Sequence, residues 1–133
     1  MKKFLALVLV ICALSTVLVS CGYEMDDFVE NLSDSHKIQY LDYEDIEDYA
    51  DIFDVNADNY GIKSAIEAKS TSSGKYALIF ECDGDDEAES LVYDLDDAVD
   101  MLNDYYSFTV TAVAEDNFVL IGASTVIDAA LAD

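Results

Sequence analysis

Residues 75–106 read KYALIFECDGDDEAESLVYDLDDAVDMLNDYY. The first part, KYALIFEC, is almost continuously apolar. Tyr76, Leu78, Phe80 and Cys82 would share one face of a strand, and the residues between them are also mostly apolar, which predicts a central position in a sheet. The rest changes period. Ala88, Leu91, Val92, Leu95, Val99 and Leu102 recur at helical spacing and define one apolar face. Asp85, Asp86 and Glu87 suit the N-terminus of such a helix, where the backbone dipole favours acids. Asp100 and Asp104 lie at the unfavourable end, so packing must offset their repulsion. A buried strand feeding an amphipathic helix sets the fold class, and the flanks supply the other elements.

Upstream, GIKSAIEAK alternates. Ile62, Ser64, Ile66 and Ala68 face one way, and Lys63, Ala65, Glu67 and Lys69 face the other. The loop STSSG separates this strand from the next, and its length predicts an antiparallel hairpin. Before it, Ile46, Tyr49, Ala50 and Phe53 form the inner stripe of a helix over residues 43–53, with Glu44, Asp45, Glu47, Asp48 and Asp51 outside. Residues 37–41 read as extended or loop, and MDDFVENLSD as a short helix carrying Phe28, Val29 and Leu32. Downstream, SFTVTAVA is a strand, EDN a tight turn and FVLIG a further apolar strand. Ser124 can cap a last helix with Val126, Ile127, Ala130 and Leu131. The expected fold is α+β, in the order α-α-β-β-α-β-β-α. A four-stranded, mainly antiparallel sheet with helices packed on one face is the simplest arrangement that buries these stripes.

The N-terminal end has a different character. Lys2 and Lys3 precede an apolar run over residues 4–14, and Ser15 and Thr16 interrupt it before VLVS. A positive start, a short apolar centre and a small residue at the end make a secretory signal. A membrane-spanning helix needs about 20 predominantly apolar residues, and residues 4–19 fall short of that. The end of the signal, Leu18, Val19, Ser20 and Cys21, resembles the lipobox of bacterial lipoproteins. The resemblance implies cleavage before Cys21 and a diacylglycerol on its thiol. It divides the chain into a signal peptide (residues 1–20), a lipid anchor and short tether (residues 21–26) and one acidic domain (residues 27–133). Five tether residues reach at most ~18 Å. The chain as a whole is similar to small lipoproteins of Gram-positive, Clostridia-like bacteria, through the signal, KYALIFECDGDDEAESL and DNFVLIGAS. That resemblance implies a place on the outer face of the cell membrane, held there by lipid, and carries over no catalytic residue.

Charge narrows the function classes. Without residues 1–20 the chain keeps four lysines against 29 acids, a formal charge of −25, and it has no arginine. Nucleic acid is excluded as a partner, because phosphate contacts need a basic face. Anionic lipid should be repelled, so attachment to the membrane falls to the acyl chains. The acidity either keeps the domain soluble or engages a cationic partner such as a basic protein or peptide, a polyamine or a metal. Of the three cysteines, Cys12 leaves with the signal and Cys21 carries the lipid. Cys82 is left without a disulfide partner, as a small apolar core residue.

Candidate chemistry is sparse. In DVNADN, residues Asp54, Asn56 and Asp58 occupy positions 1, 3 and 5 of a calcium-loop pattern. The Tyr60 carbonyl would serve position 7, but position 12 is Ala65 where the pattern wants a bidentate acid, and Glu67 comes two residues late. A helix-ending turn competes for the same residues. DGDDEAE has similar spacing but reads better as a helix N-terminus. His36 is the only histidine, so a zinc site cannot be assembled from the usual ligands, and a Cys82–His36 dyad would require the two to meet in space. No nucleophile elbow, phosphate loop or dinucleotide turn is present. The sequence therefore points to a lipid-anchored interaction or ligand-binding module without catalytic activity or a cofactor. A calcium or other cation-binding surface lipoprotein is the alternative. A small hydrolase built on scattered carboxylates is a third class.

Overall fold

In the computed structural model, which describes residues 23–132, the KYALIFEC run becomes the middle strand of a five-stranded antiparallel sheet. The elements follow in the order α1 (Met25–Leu32), β1 (His36–Leu41), α2 (Tyr43–Ile52), a 3-10 turn (Ala57–Tyr60), β2 (Ser64–Ser70), β3 (Tyr76–Glu81), α3 (Asp85–Asp94), α4 (Asp96–Tyr105), β4 (Val110–Glu115), β5 (Phe118–Ala123) and α5 (Ser124–Ala130). Across the sheet the strands lie β1-β2-β3-β5-β4. β1, β2 and β3 form a meander. The chain then crosses over α3 and α4 to the far edge and returns as β5, which slots between β4 and β3.

The α+β class holds, and three details of the expectation are corrected. The sheet has a fifth strand where residues 37–41 read as extended or loop. β1 pairs with β2 from His36↔Ser70 to Leu41↔Ala65. It is an edge strand with Ile38 as its main inward anchor and Tyr40 exposed, so it lacks the alternation that marks a half-buried strand.

Helices cover both faces of the sheet, where one face was expected. Leu78, Phe80, Val119 and Ile121 pack under α2, the 3-10 turn, α3 and α4. Ile66, Ile79, Phe118 and Leu120 pack under α1 and α5. The physical reason lies in the unbroken runs of β3 and β5: strands apolar on both sides must be covered on both sides. Phe28 anchors α1 on Phe118, with ring centroids 5.0 Å apart and planes at 75°. Burying a side chain of that size contributes roughly 1.5–3 kcal/mol.

The long helix of residues 85–106 is two helices. At Leu95 the backbone opens to φ −86°, ψ 1°, and its N–H is shared among the carbonyls of Leu91, Val92 and Tyr93. Asp96 and Asp97 thereby enter the first turn of α4, where the dipole favours them. The break removes part of the charge conflict that an unbroken helix would carry.

At the other end, α1 starts inside the expected tether. Its N-terminus is closed by a reciprocal capping box between Glu24 and Asp27, Tyr23 stacks on Phe28 at 5.0 Å, and the Tyr23 N–H donates to the Asp116 carboxylate at 2.8 Å. The expected signal and Cys21, the expected lipid attachment site, lie outside the described residues. Among the described residues no helix is long and apolar enough to cross a membrane.

One glycine is structurally required. Gly122 in β5 adopts φ +146°, and a Cβ there would stand 2.5 Å from both Ala77 Cα and the Tyr76 carbonyl oxygen. β3 and β5 can close on one another at this rung because Gly122 has no side chain.

Candidate functional site

The helices over one face of the sheet gather about half of the acids. α2 is fixed by Ile46, Ala50 and Phe53 beneath it and by Asp42, whose carboxylate accepts the Asp45 N–H at 2.9 Å. That rotation leaves Glu44, Glu47, Asp48 and Asp51 outward. α3 and α4 are fixed by Ala88, Leu91, Leu95 and Ala98 and turn Asp85, Asp86, Glu89, Asp94, Asp96, Asp97, Asp100 and Asp104 to solvent. No lysine or arginine occurs in residues 42–62 or 76–133, so these helices carry no compensating charge. Large apolar side chains are interleaved with the acids. Tyr43, Ile52, Tyr93, Met101 and Tyr105 are exposed on α2, α3 and α4, the last-named tyrosine at 80% and Tyr93 at 83%.

Two open grooves cut this face. One, of about 600 Å³, is lined by Val92, Tyr93, Asp94, Asp96 and Asp97. Carboxylate oxygens of Asp96, Asp97 and Asp100 lie within 4.8 Å of one another beside it. The other, of about 530 Å³, runs between α2 and the 3-10 turn and includes Glu44, Glu47, Asp48, Asp51, Asn56 and Asp58. The expected cation ligands Asn56 and Asp58 meet in this groove, and Asp54 is not part of its lining. Each has a local role. Asp54 adopts φ 60° just past α2, where Val55 N–H reaches the Ala50 carbonyl at 2.9 Å in a helix-ending turn. The Asn56 side chain accepts the Asp58 N–H at 3.0 Å, and Tyr43 OH donates to the Asp58 carboxylate at 2.9 Å. Ala65, at the twelfth position of the calcium pattern, is buried in β2.

The 3-10 turn is tied to α3 by Tyr60 OH donating to the Asp94 carboxylate. Burial first, and then this hydrogen bond, push the Tyr60 hydroxyl up from 10.0 to about 12. A phenol whose folded value is raised contributes stability that is intact below its unfolded value and is lost as pH climbs through its folded one. The melting temperature should therefore fall between pH 10.0 and about 12 from this group. Tyr49 and Tyr76, both raised chiefly by burial, act in the same direction. Thermal melts of the wild type and Tyr60→Phe against pH check this: the variant should show a shallower alkaline fall, and identical slopes would contradict it.

Beneath the face lies an aromatic slot with Phe53, Tyr76, Leu102, Tyr106 and Phe108 in its wall and a hydroxyl pair, Tyr76 to Tyr106, at 3.0 Å. Its enclosed space is about 10 Å³, the size of one water, so it is packing and not a pocket for an organic ligand.

Cys82 and His36 are not brought together. His36 pairs with Ser70 at one end of β2, whereas Cys82 follows Glu81, the partner of Ser64 at the other end. Six residues of strand separate them, about 20 Å. Burial pushes the Cys82 thiol up to about 11, with Glu87 and Glu81 adding to it, so the thiol is protonated at neutral pH. The His36 ring nitrogen Nδ1 lies 2.8 Å from the Ser35 hydroxyl.

Some residues that matter to this side of the molecule carried no signal in the sequence. Asn103 sits late in a helix, where side-chain amides are ordinary, yet it bonds both backbone groups of Val110. The exposed tyrosines Tyr43, Tyr93 and Tyr105 lie off the apolar stripes by which the helices are read, so nothing in the pattern groups them. The geometry defines an α+β protein with an acidic, aromatic-studded helical face. Comparison of the chain with protein-family models, with curated proteins and with solved structures finds no match.

Proposed function

We propose that the protein is a lipid-anchored module on the outer face of the cell membrane that binds a cationic protein or peptide and does not catalyse a reaction. The observation that carries the reading is the composition of the α2–α3–α4 face: uncompensated carboxylates interleaved with exposed tyrosine, methionine and isoleucine. Charge alone would serve solubility. Aromatic side chains exposed among the charges are what a partner-binding surface adds, because they supply contact area with little loss of side-chain freedom. The anchor follows from Leu18, Val19, Ser20 and Cys21, with the diacylglycerol on Cys21 holding the domain at the bilayer.

The test uses the full chain in neutral detergent and an octalysine peptide as the probe. Binding should weaken steeply as sodium chloride is raised, since exposed charges are screened over about 10 Å at 0.1 M salt. Replacing Asp96, Asp97 and Asp100 by Asn should weaken it about tenfold, at ~0.2–1 kcal/mol for each exposed pair lost. Neutralising Asp26, Asp27 and Glu30 on α1 should change it less. Equal losses from the two triples would assign the binding to net charge and not to this face.

The groove between α2 and the 3-10 turn favours a second reading, a calcium or other cation-binding surface lipoprotein using Asp54, Asn56 and Asp58. Asn56 and Asp58 share that groove with four carboxylates of α2. On this reading millimolar calcium raises the melting temperature, and Asp58→Asn removes the rise. Indifference of the wild type to calcium would dismiss it.

A further inference from the structure

The sheet ends in two free edges, and they differ. β1 carries Lys37, a charge of the kind that protects an edge from pairing, whereas β4 reads VTAVAE and is uncharged until Glu115. The β4–β5 hairpin closes at Glu115↔Phe118 across a two-residue turn, so Thr111, Val113 and Glu115 aim their backbone groups at β5. Those of Val110, Ala112 and Ala114 therefore point outward. Asn103 shows the same orientation independently. Its Oδ1 accepts the Val110 N–H at 2.8 Å and its Nδ2 donates to the Val110 carbonyl at 2.9 Å, so one side-chain amide completes the rung that a neighbouring strand would make. At the next two rungs, the backbone groups of Ala112 and Ala114 face away from β5, the strand that β4 pairs with in the sheet.

The helix beside this edge carries charge of one sign, and the nearby lysine, Lys75, lies over the Phe108 ring just before β4 begins, 5.8 Å from its centroid. α4 turns back through residues 106–109 into β4, and Ala98, Val99 and Leu102 pack in one cluster with Ala112 and Ala114. Asp100 and Asp96 precede Asn103 by about one and two helical turns on the same side of α4. Both belong to the Asp96–Asp97–Asp100 cluster, which is therefore carried on the helix that packs against β4.

We propose that β4 accepts an extended peptide segment as a sixth strand, started at the Asn103 rung, with Lys or Arg at the alternate positions that face α4. This rests on the cationic-partner reading above and adds how the partner is held. Two copies of this chain pairing along β4 would bring two Asp96–Asp97–Asp100 clusters together, so charge favours a basic segment over self-pairing.

The experiment titrates the full chain, in neutral detergent, with an alternating Lys-Val octapeptide. Its Glu-Val counterpart and a Lys-Val peptide N-methylated at alternate residues are the controls. The Lys-Val peptide should bind and slow hydrogen exchange at Ala112 and Ala114, and the Glu-Val peptide should not bind. N-methylation and Ala112→Pro should each weaken binding by roughly tenfold or more, since each removes ladder hydrogen bonds. Proline at an outward N–H leaves the β5 ladder intact, and the N-methylated peptide tests the same bonds on wild-type protein. Equal binding of the N-methylated peptide would overturn strand addition while leaving the acidic-face reading in place. Failure of octalysine to bind at all would overturn both. Concentration-dependent dimers that protect Ala112 and Ala114 without peptide would give the edge to a second copy and overturn the proposal.

Discussion

Gly122→Val is expected to leave no folded domain at 37 °C. The new Cβ would lie 2.5 Å from Ala77 Cα and 2.5 Å from the Tyr76 carbonyl oxygen, with Ala77 Cβ at 2.8 Å. None of these neighbours is the end of a flexible side chain. All belong to β3, whose Ala77, Leu78, Ile79 and Phe80 are buried on both faces of the sheet. Relief would require β3 and β5 to part, and that rung holds together α1 and α5 on one side and α3 and α4 on the other. The backbone adds to the cost, since φ +146° is a region β-branched residues avoid. A penalty above ~4 kcal/mol belongs to the exceptional class of single substitutions. The whole stability of a domain this size is about 5–15 kcal/mol. Far-UV circular dichroism and a thermal melt read the outcome. Gly122→Ala should show a smaller loss of the same sign, and a wild-type melt for Gly122→Val would mean the strands have room that the structure denies.

The second large effect concerns location. Cys21→Ser is expected to move the protein from the membrane pellet to the soluble fraction and to abolish incorporation of labelled palmitate. Serine keeps the size of the side chain and loses the thiol that the lipid transfer uses. Two acyl chains are enough for stable anchoring, at ~0.8 kcal/mol for each buried methylene, and without them a domain of formal charge −25 is repelled by anionic lipid. The rival is an uncut apolar segment over residues 4–19 that stays in the bilayer. In that case the serine variant remains in the pellet at its full, uncleaved mass. Mass and fraction together separate the two.

How much was legible in advance follows from where each signal resides. The faces of β3, with Leu78, Phe80 and Cys82 on one side and Ala77 and Ile79 on the other, were readable because strand alternation is a local property. The inward stripe of α2 was equally plain, since Ile46, Ala50 and Phe53 fall at helical spacing. β1 was ambiguous because an exposed edge imposes little pattern on its residues. The break at Leu95 was hidden because Leu91, Leu95 and Ala98 keep helical spacing through it, so the apolar stripe alone cannot reveal that the axis turns. For the candidate site, Asp54, Asn56 and Asp58 were named from spacing; Asn56 and Asp58 line one groove and Asp54 does not. The reason is that Asn56 caps the 3-10 turn and Tyr43 reaches across from α2 to Asp58. Of the cluster of Asp96, Asp97 and Asp100, the sequence marked only Asp100, with Asp104, as lying at an unfavourable helix end, since the second N-terminus that accommodates Asp96 and Asp97 is a tertiary product.

The sequence by itself determined the α+β class, the inner faces of the central strand and of the helices flanking it, and the acidity. These depend on residue type and short-range period, which need no partner to be read. Only the tertiary structure decided that helices cover both faces, that about half of the acids share three of those helices with exposed Tyr43, Tyr93 and Tyr105, and that Asn103 seals one rung of the β4 edge. Each of those depends on which distant segments meet. The unbroken apolar runs of β3 and β5 require cover on both faces, but which helices supply it, and which strand closes on Gly122, depends on pairing between distant segments.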